Sequence, residues 1–153
     1  MLTNLLIAVG LVVVTVSIHI VGFDALLRIV MRSHALDRSG LWFVTPFVIG
    51  VTLWLIVIHA AEILLWGQFY FWWGCMPDKE TAFYFSAVTY TTVGDGDLTL
   101  PLQWRNLAPV EALTGILMFG LSTGLFFAFV LRWIGNWTEE RTASEARSKA
   151  DPR

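Results

Sequence analysis

A short polar segment at residues 91–97, Thr-Thr-Val-Gly-Asp-Gly-Asp, has the residue types best suited to chemistry in this sequence. Gly94 and Gly96 stand at alternate positions, and glycine adopts positive φ without strain. A backbone that alternates between left- and right-handed conformations can turn successive carbonyl oxygens to the same side. Such a row of oxygens can replace the water shell of a cation. The segment therefore predicts a cation path lined by backbone carbonyls.

The elements around this segment indicate how it is positioned. Residues 81–90 are apolar and predict a helix, but a bilayer crossing takes about 20 residues. Longer apolar stretches predict spans at 5–27, from 41 or 44 to 66, and from 106 to about 134. Irregular backbone at membrane depth is tolerated only in protein or along a watery path. The predicted fold class is an all-α membrane protein with three transmembrane helices per chain. A re-entrant pore helix and a selectivity filter would lie between the second and third.

Residues 92–97 resemble the filter of the tetrameric potassium channel superfamily, whose usual form is Thr-Val-Gly-Tyr-Gly-Asp. Asp95 stands where the potassium-selective members have tyrosine. Thr-Val-Gly-Asp-Gly is the filter of the bacterial nonselective channels, which conduct sodium and potassium. The resemblance covers about residues 81–130, and its longer context is similar to small bacterial channels of the two-helix pore type. It implies a homotetramer around one pore.

The resemblance also assigns residues to the ion path. It implies a filter of five residues: Thr92, Val93, Gly94, Asp95 and Gly96. Potassium and sodium would bind at the first three. Asp95 is too short to pack behind the filter as a tyrosine ring does, so conduction of potassium and sodium is expected. A potassium-selective channel remains the alternative, because the inner sites are unchanged.

Carboxylates follow the inner sites of the predicted filter. Asp95 and Asp97 from four chains would form rings at the outer mouth. Such rings attract cations and can bind divalent ions. The sequence therefore predicts a calcium site at the mouth. No cofactor is expected, and potassium and sodium are the permeant ions.

Composition agrees with a membrane protein. The chain has 153 residues, of which 56% are hydrophobic, and its net charge is −2. Nothing in this charge favours a nucleic-acid partner, and the expected surroundings are a lipid bilayer. The single cysteine, Cys75, excludes an intrachain disulfide.

Two histidines and a glutamate are among the ionisable residues within the predicted spans. His19 stands in the first span, where a hydrogen bond to a neighbouring helix and a proton-sensing role are the two alternatives. His59 and Glu62 are three residues apart on one face of the second. A hydrogen-bonded structural pair facing the third span is favoured over metal ligation, because one helix supplies too few ligands.

Local signals mark the ends of the pore segment. Asp78 is the predicted N-cap of the pore helix. The aromatic run at 66–73 is typical of a belt at the membrane surface. In the third span, Gly115 and Gly120 are candidate hinges, with close helix packing as the equal alternative.

Positive charge predicts the orientation. Arg28, Arg32 and Arg38 concentrate in a short connection, and such loops lie in the cytoplasm. The N-terminus would then be outside and the C-terminus cytoplasmic, in a multi-pass protein of the cell (inner) membrane. Residues 1–40 would form an additional helix with its loop, 41–134 the pore domain, and 135–153 a short cytoplasmic tail.

Two readings from other classes compete with a channel. A membrane enzyme or cofactor protein would use His19, His59, Glu62 and Glu111, but it leaves the half-helix and the filter unexplained. We therefore expect no enzyme activity. A nonconducting accessory subunit is the other alternative, which ion flux from purified protein would exclude.

Overall fold

The computed structural model describes residues 2–33 and 41–150, and it is built from helices. Four α-helices occur in chain order: α1 Leu2–Ser33, α2 Leu41–Trp72, α3 Lys79–Tyr90 and α4 Leu107–Ala150. No strand is present in these described ranges. Three of the helices, α1, α2 and α4, are long and apolar enough to cross a membrane. The predicted fold class, with three long helices and a short one between the second and third, is confirmed.

The long helices exceed their predicted bounds. Helix α1 continues to Ser33, so Arg28 and Arg32 are helical where the sequence analysis expected a connection. The remainder of that connection, residues 34–40 with Arg38, lies outside the described residues. Helix α4 runs on to Ala150 through the predicted tail. The α4 extension is rich in Arg, Glu and Ala, which favour helix, and it contains no proline before residue 152.

The expectation of an aromatic belt at 66–73 was wrong for Trp66, Phe69 and Tyr70, which are buried. Helix α2 continues to Trp72, and Trp66 and Tyr70 on its inner face are fully buried. Trp72 and Trp73 remain exposed at the end of the helix. Trp66 and Tyr70 are four residues apart and share the face of α2 that meets the protein core, whereas Trp72 and Trp73 stand where the helix ends.

Helix α3 lies against α2 and α4, and α1 packs along α2 and also contacts α4. Gly22 allows α1 and α2 to approach closely, since a Cβ there would lie 2.6 Å from Ile58 Cγ1. The Trp54 indole donates to the Gly22 carbonyl at 3.0 Å, and the Trp66 indole donates to Thr15 Oγ1 at 3.0 Å. Helix α1 is thus held to α2 by packing and by interhelical hydrogen bonds.

The outward faces of the long helices are apolar. Many of their large aliphatic side chains are more than half exposed, including Leu6, Val13, Leu53, Ile56, Leu117 and Leu131. A hydrocarbon surround accommodates such faces without cost, whereas water would not.

Candidate functional site

The short helix α3 is defined by its N-cap. Asp78 has extended backbone angles, and its carboxylate accepts from the Thr81 amide at 2.8 Å. This bond holds the pKa of the exposed Asp78 carboxyl below its usual value. The predicted cap is therefore confirmed, and α3 ends at Tyr90, immediately before the Thr/Gly/Asp segment.

The backbone of that segment alternates in handedness. Positive φ angles occur at Thr92 (60°), Gly94 (55°) and Gly96 (78°). Glycine adopts such angles freely, but a β-branched residue does not, and the conformation at Thr92 costs about 1–3 kcal/mol. Threonine is held there by its surroundings. The segment also leaves its side chains outside the core, with Val93 62% exposed.

Hydrogen bonds from the segment back to α3 hold it in place. The Gly94 amide donates to the Val88 carbonyl at 3.0 Å, and the Thr92 amide donates to Thr89 at 3.0 Å. These carbonyls belong to the last turn of α3, which has no helical partners for them. The end of the half-helix and the start of the segment are therefore one hydrogen-bonded unit.

Asp95 faces a tyrosine of α3. The Tyr84 hydroxyl donates to Asp95 Oδ2 at 3.1 Å, and both side chains are exposed. This bond raises the pKa of the Tyr84 phenol. Asp97, two residues on, is also exposed. The two predicted mouth carboxylates thus lie on the surface of the same segment, and one of them has a defined donor.

Behind α3, a buried carboxylate connects three helices. Glu111 of α4 is fully buried, and its Oε2 accepts from the Tyr70 hydroxyl of α2 at 2.7 Å. Its Oε1 lies 2.6 Å from the Ser86 hydroxyl of α3. That hydroxyl is also 2.9 Å from the Ile63 carbonyl of α2. We call this group the Glu111 cluster; it fixes the middle of α3 between α2 and α4.

A second buried group, the Glu62 cluster, joins all four helices near the end of α3. Its members are His19, His59, Glu62, Tyr90 and Ser122. Glu62 accepts from His19 Nδ1 at 2.8 Å, from His59 Nδ1 at 3.1 Å and from the Tyr90 hydroxyl. His59 Nε2 lies 3.0 Å from Ser122 Oγ on α4. The structural pair of His59 and Glu62 faces the third span as predicted.

The argument against metal ligation at His59 and Glu62 was incomplete. It assumed that one helix supplies all the ligands, but His19 of α1 completes a group of three possible ligands. His19 is separated from Glu62 by 43 residues, so no local spacing could indicate the contact. The structure confirms a hydrogen bond from His19 to a neighbouring helix.

The two candidate hinge glycines differ in their surroundings. A Cβ at Gly115 would collide with the Tyr90 carbonyl oxygen, whereas nothing lies within 4 Å of a Cβ at Gly120. Gly115 therefore permits close packing of α4 on the end of α3. Helix α4 is continuous through both positions, and bending at either stays a prediction.

The residues predicted to form a filter stay a prediction, and sequence reasoning missed the side chains that hydrogen-bond around them. Thr92, Val93, Gly94, Asp95 and Gly96 form one exposed segment as expected. Tyr84, Tyr70 and Ser86 were not predicted as partners of acidic residues. The available signal was the presence of polar side chains in otherwise apolar helices. Glu111, named above only for the competing enzyme or cofactor interpretation, accepts a hydrogen bond from Tyr70 in the core.

A protein-family comparison agrees with this architecture. The model of a family described as ion channel matches residues 58–132, close to half of the chain. The match runs from the second half of α2 through α3 and the exposed segment into α4. No curated protein and no solved structure matches the chain. With three helices able to span a membrane, the match indicates a multi-pass membrane protein with an ion-channel pore region.

Proposed function

We propose that four copies of this chain form a homotetrameric channel that conducts potassium and sodium across the cell (inner) membrane. One observation carries the proposal: φ is positive at Thr92, Gly94 and Gly96, in an exposed segment directly after a half-length helix. Alternating handedness presents successive carbonyls on one side, as a row of cation sites requires.

The tetramer follows from the need to close a path. One chain leaves residues 91–97 exposed and encloses nothing. A ring of identical chains provides a closed path with cyclic symmetry, and the filter resemblance gives the number as four. Native mass measurement in detergent tests the number, and a monomer or dimer with full ion flux would contradict it.

The inner ion sites consist of the carbonyls of Thr92, Val93 and Gly94, together with the Thr92 hydroxyl. The C-terminal end of α3 at Tyr90 adds the negative pole of a helix dipole, which favours cations. Residues 41–134 act as the pore domain, 1–40 as an additional helix and loop, and 135–153 as a cytoplasmic tail.

In the proposed orientation the N-terminus is outside. The Asn4 side chain at the start of α1 donates to the Gln103 carbonyl, so the beginning of α1 and the loop after the filter share one side. The basic residues Arg28 and Arg32 lie at the opposite end of α1, which supports placing that end in the cytoplasm. Outside labelling of Asp78→Cys, but not of Arg32→Cys, tests this orientation.

Reversal potentials in asymmetric sodium and potassium test the selectivity. Purified wild-type protein in liposomes should conduct both ions and reverse between the two equilibrium potentials. Asp95→Tyr restores the potassium-type filter and should move the reversal potential toward the potassium value. A wild type that already reverses at the potassium value would exclude a nonselective pore, and a protein without flux would exclude conduction.

A potassium-selective channel is the second candidate, and the Tyr84–Asp95 hydrogen bond favours it. This bond can hold the outer carbonyls in register, as the aromatic ring does in the potassium-type filter. Tyr84→Phe removes the donor and keeps the ring. If the bond maintains selectivity, the variant should conduct more sodium relative to potassium than the wild type does. An unchanged reversal potential would assign the bond no such role.

The mouth carboxylates provide an independent test of the ion path. External calcium should bind at Asp95 and Asp97 and reduce monovalent current. Asp97→Asn should weaken this block, and Asp95→Asn serves as the matched variant. If neither substitution changes the block, calcium does not bind at this ring.

A further inference from the structure

A buried group of possible metal ligands lies outside the proposed ion path. His19 of α1 and His59 and Glu62 of α2 each offer one ligand atom, and the three atoms lie within 4.8 Å of one another. The side chains are almost completely inaccessible, with relative exposures of 1%, 7% and 0%. Neither the filter nor its carboxylates use these residues.

We propose that His19, His59 and Glu62 bind a transition-metal dication, with zinc as the best fit. Two imidazole nitrogens and one carboxylate oxygen form a donor set that zinc prefers, and three protein ligands leave a fourth position open. Tetrahedral bonds of about 2.1 Å place ligand atoms about 3.4 Å apart. The widest pair, at most 4.8 Å apart, therefore needs to close by little more than about 1 Å.

The surroundings of the three ligands support the assignment. Ser122 Oγ lies 3.0 Å from His59 Nε2 and orients the ring from its other nitrogen, as partners of metal-bound histidines commonly do. The Tyr90 hydroxyl bonds Glu62 and lies 3.4 Å from His59 Nδ1, close enough to occupy the fourth position. His19 Nε2 is buried and has no hydrogen-bond partner among the described atoms. Because His19 Nδ1 is the nitrogen that contacts Glu62, a metal in this cluster would bind Nδ1, and the orphan Nε2 on the far edge of the ring does not itself mark the site.

An ion bound at this position would link several helices of the chain. Its ligands come from α1 and α2, while Tyr90 is the last residue of α3 and Ser122 belongs to α4. Binding would tie the additional first helix to the pore region at the end of the half-helix. Zinc should therefore raise the unfolding temperature of the whole chain.

The competing interpretation is a hydrogen-bonded cluster that binds no metal, and cobalt distinguishes the two. The full chain, purified in detergent and stripped by a chelator, is titrated with Co²⁺ as a spectroscopic substitute for zinc. We expect saturation at one ion per chain, with the visible absorption of a tetrahedral centre and displacement by zinc. A folded wild type without saturable binding would overturn the proposal.

Variants locate the site. His19→Ala and His59→Ala should abolish the cobalt spectrum, whereas Cys75→Ser and His34→Ala, which change the cysteine and the third histidine of the sequence, should preserve it. Ser122→Ala should weaken affinity by about 10- to 100-fold, the range found for outer partners of metal-bound histidines. Binding that is unchanged in both His19→Ala and His59→Ala would place the metal elsewhere and overturn the proposal.

A gain of signal separates ligation from a loss of folding. In a Cys75→Ser background, His19→Cys introduces the single thiol of the chain at the proposed ligand position. It should retain cobalt and add a sulfur-to-metal charge-transfer band. Cobalt bound without that band would show that residue 19 is not a ligand. These readouts do not depend on ion flux, so a nonconducting chain could still bind the metal.

Discussion

Glu62 and Glu111 are both fully buried glutamates, but their partners make them chemically different. The Glu62 carboxylate is surrounded by two imidazole nitrogens and a phenol. Within the described residues, the side-chain hydrogen bonds of Glu111 go to two hydroxyl groups, those of Tyr70 and Ser86. Residue type and burial are therefore insufficient to infer the charge of a glutamate. The number of hydrogen-bond donors around each carboxyl group indicates whether it is ionised.

Around Glu62, three hydrogen-bond donors are directed at the carboxylate oxygens. In the metal-free protein, with each imidazole protonated at Nδ1, His19 Nδ1, His59 Nδ1 and the Tyr90 hydroxyl each donate to one of the two carboxylate oxygens. With Nδ1 protonated, His59 Nε2 accepts from Ser122, and the pattern is consistent. An ionised carboxylate, which only accepts, satisfies every donor in this group.

If Glu111 were ionised, the groups around it would have one hydrogen too few for their hydrogen bonds. The Ser86 hydroxyl carries a single hydrogen but lies within hydrogen-bond distance of two acceptors, the Ile63 carbonyl and Glu111 Oε1. A protonated Glu111 resolves this, because its own O–H donates to Ser86 while Ser86 donates to Ile63. Burial away from basic groups favours this neutral form. We infer that Glu62 is ionised and Glu111 is neutral.

Replacing each glutamate by glutamine should give the largest difference in stability between the two clusters. Glu62→Gln turns an amide N–H₂ toward existing donors and should lower the free energy of unfolding by about 3 kcal/mol. Glu111→Gln places its N–H₂ where the carboxyl O–H was and should change stability by less than about 1 kcal/mol. Thermal unfolding in one detergent measures both. Equal losses in the two variants would refute the assignment of different charge states.

Two glycines of α4, Gly115 and Gly120, test how closely α4 must pack against the end of α3. Gly115→Ala forces a Cβ against the Tyr90 carbonyl and should cost about 1–3 kcal/mol through overpacking. Gly120→Ala meets nothing within 4 Å and should gain up to about 1 kcal/mol of helix propensity. The same unfolding measurement applies. A tolerated Gly115→Ala would mean that α4 shifts without loss of stability. A destabilising Gly120→Ala would locate a subunit contact there in the proposed tetramer.

Double-mutant cycles should show the smallest effect, a difference in coupling between the two clusters. Ser86 contacts Glu111 directly, so Ser86→Ala and Glu111→Gln should couple by about 1 kcal/mol. Ser122 reaches Glu62 only through His59, so Ser122→Ala and Glu62→Gln should couple by less. A stronger coupling in the second pair would indicate that the Glu62 cluster responds as one unit.

Features encoded by neighbouring residues were predictable from the sequence. Asp78 as N-cap, the half-helix ending at Tyr90 and the left-handed positions at Gly94 and Gly96 all follow from local signals. Thr92 shows the limit of that reasoning. Threonine disfavours positive φ, and the bonds from the segment to the last turn of α3 override this preference.

Contacts between distant residues were not predictable. His19 and Glu62 meet because α1 packs along α2, and hydropathy indicates that a helix spans but not which face it turns to a neighbour. The burial of Trp66 was missed for the same reason, since an aromatic run is compatible with a lipid interface or a core. The protonation states of Glu62 and Glu111 are harder still to predict from the sequence, because each depends on the complete set of hydrogen-bond partners.

The Glu111 cluster has a consequence for the order of events during synthesis. Ser86 of α3 depends on Glu111, which the ribosome adds 25 residues later. Until α4 exists, the half-helix has no partner across from α2, and irregular backbone is not tolerated in lipid. We expect a chain truncated at residue 106 to leave Ser86→Cys open to a membrane-impermeant thiol reagent, while the full chain protects it. Arrival of the last span in the bilayer would then be the event that draws the half-helix and its loop in from the water.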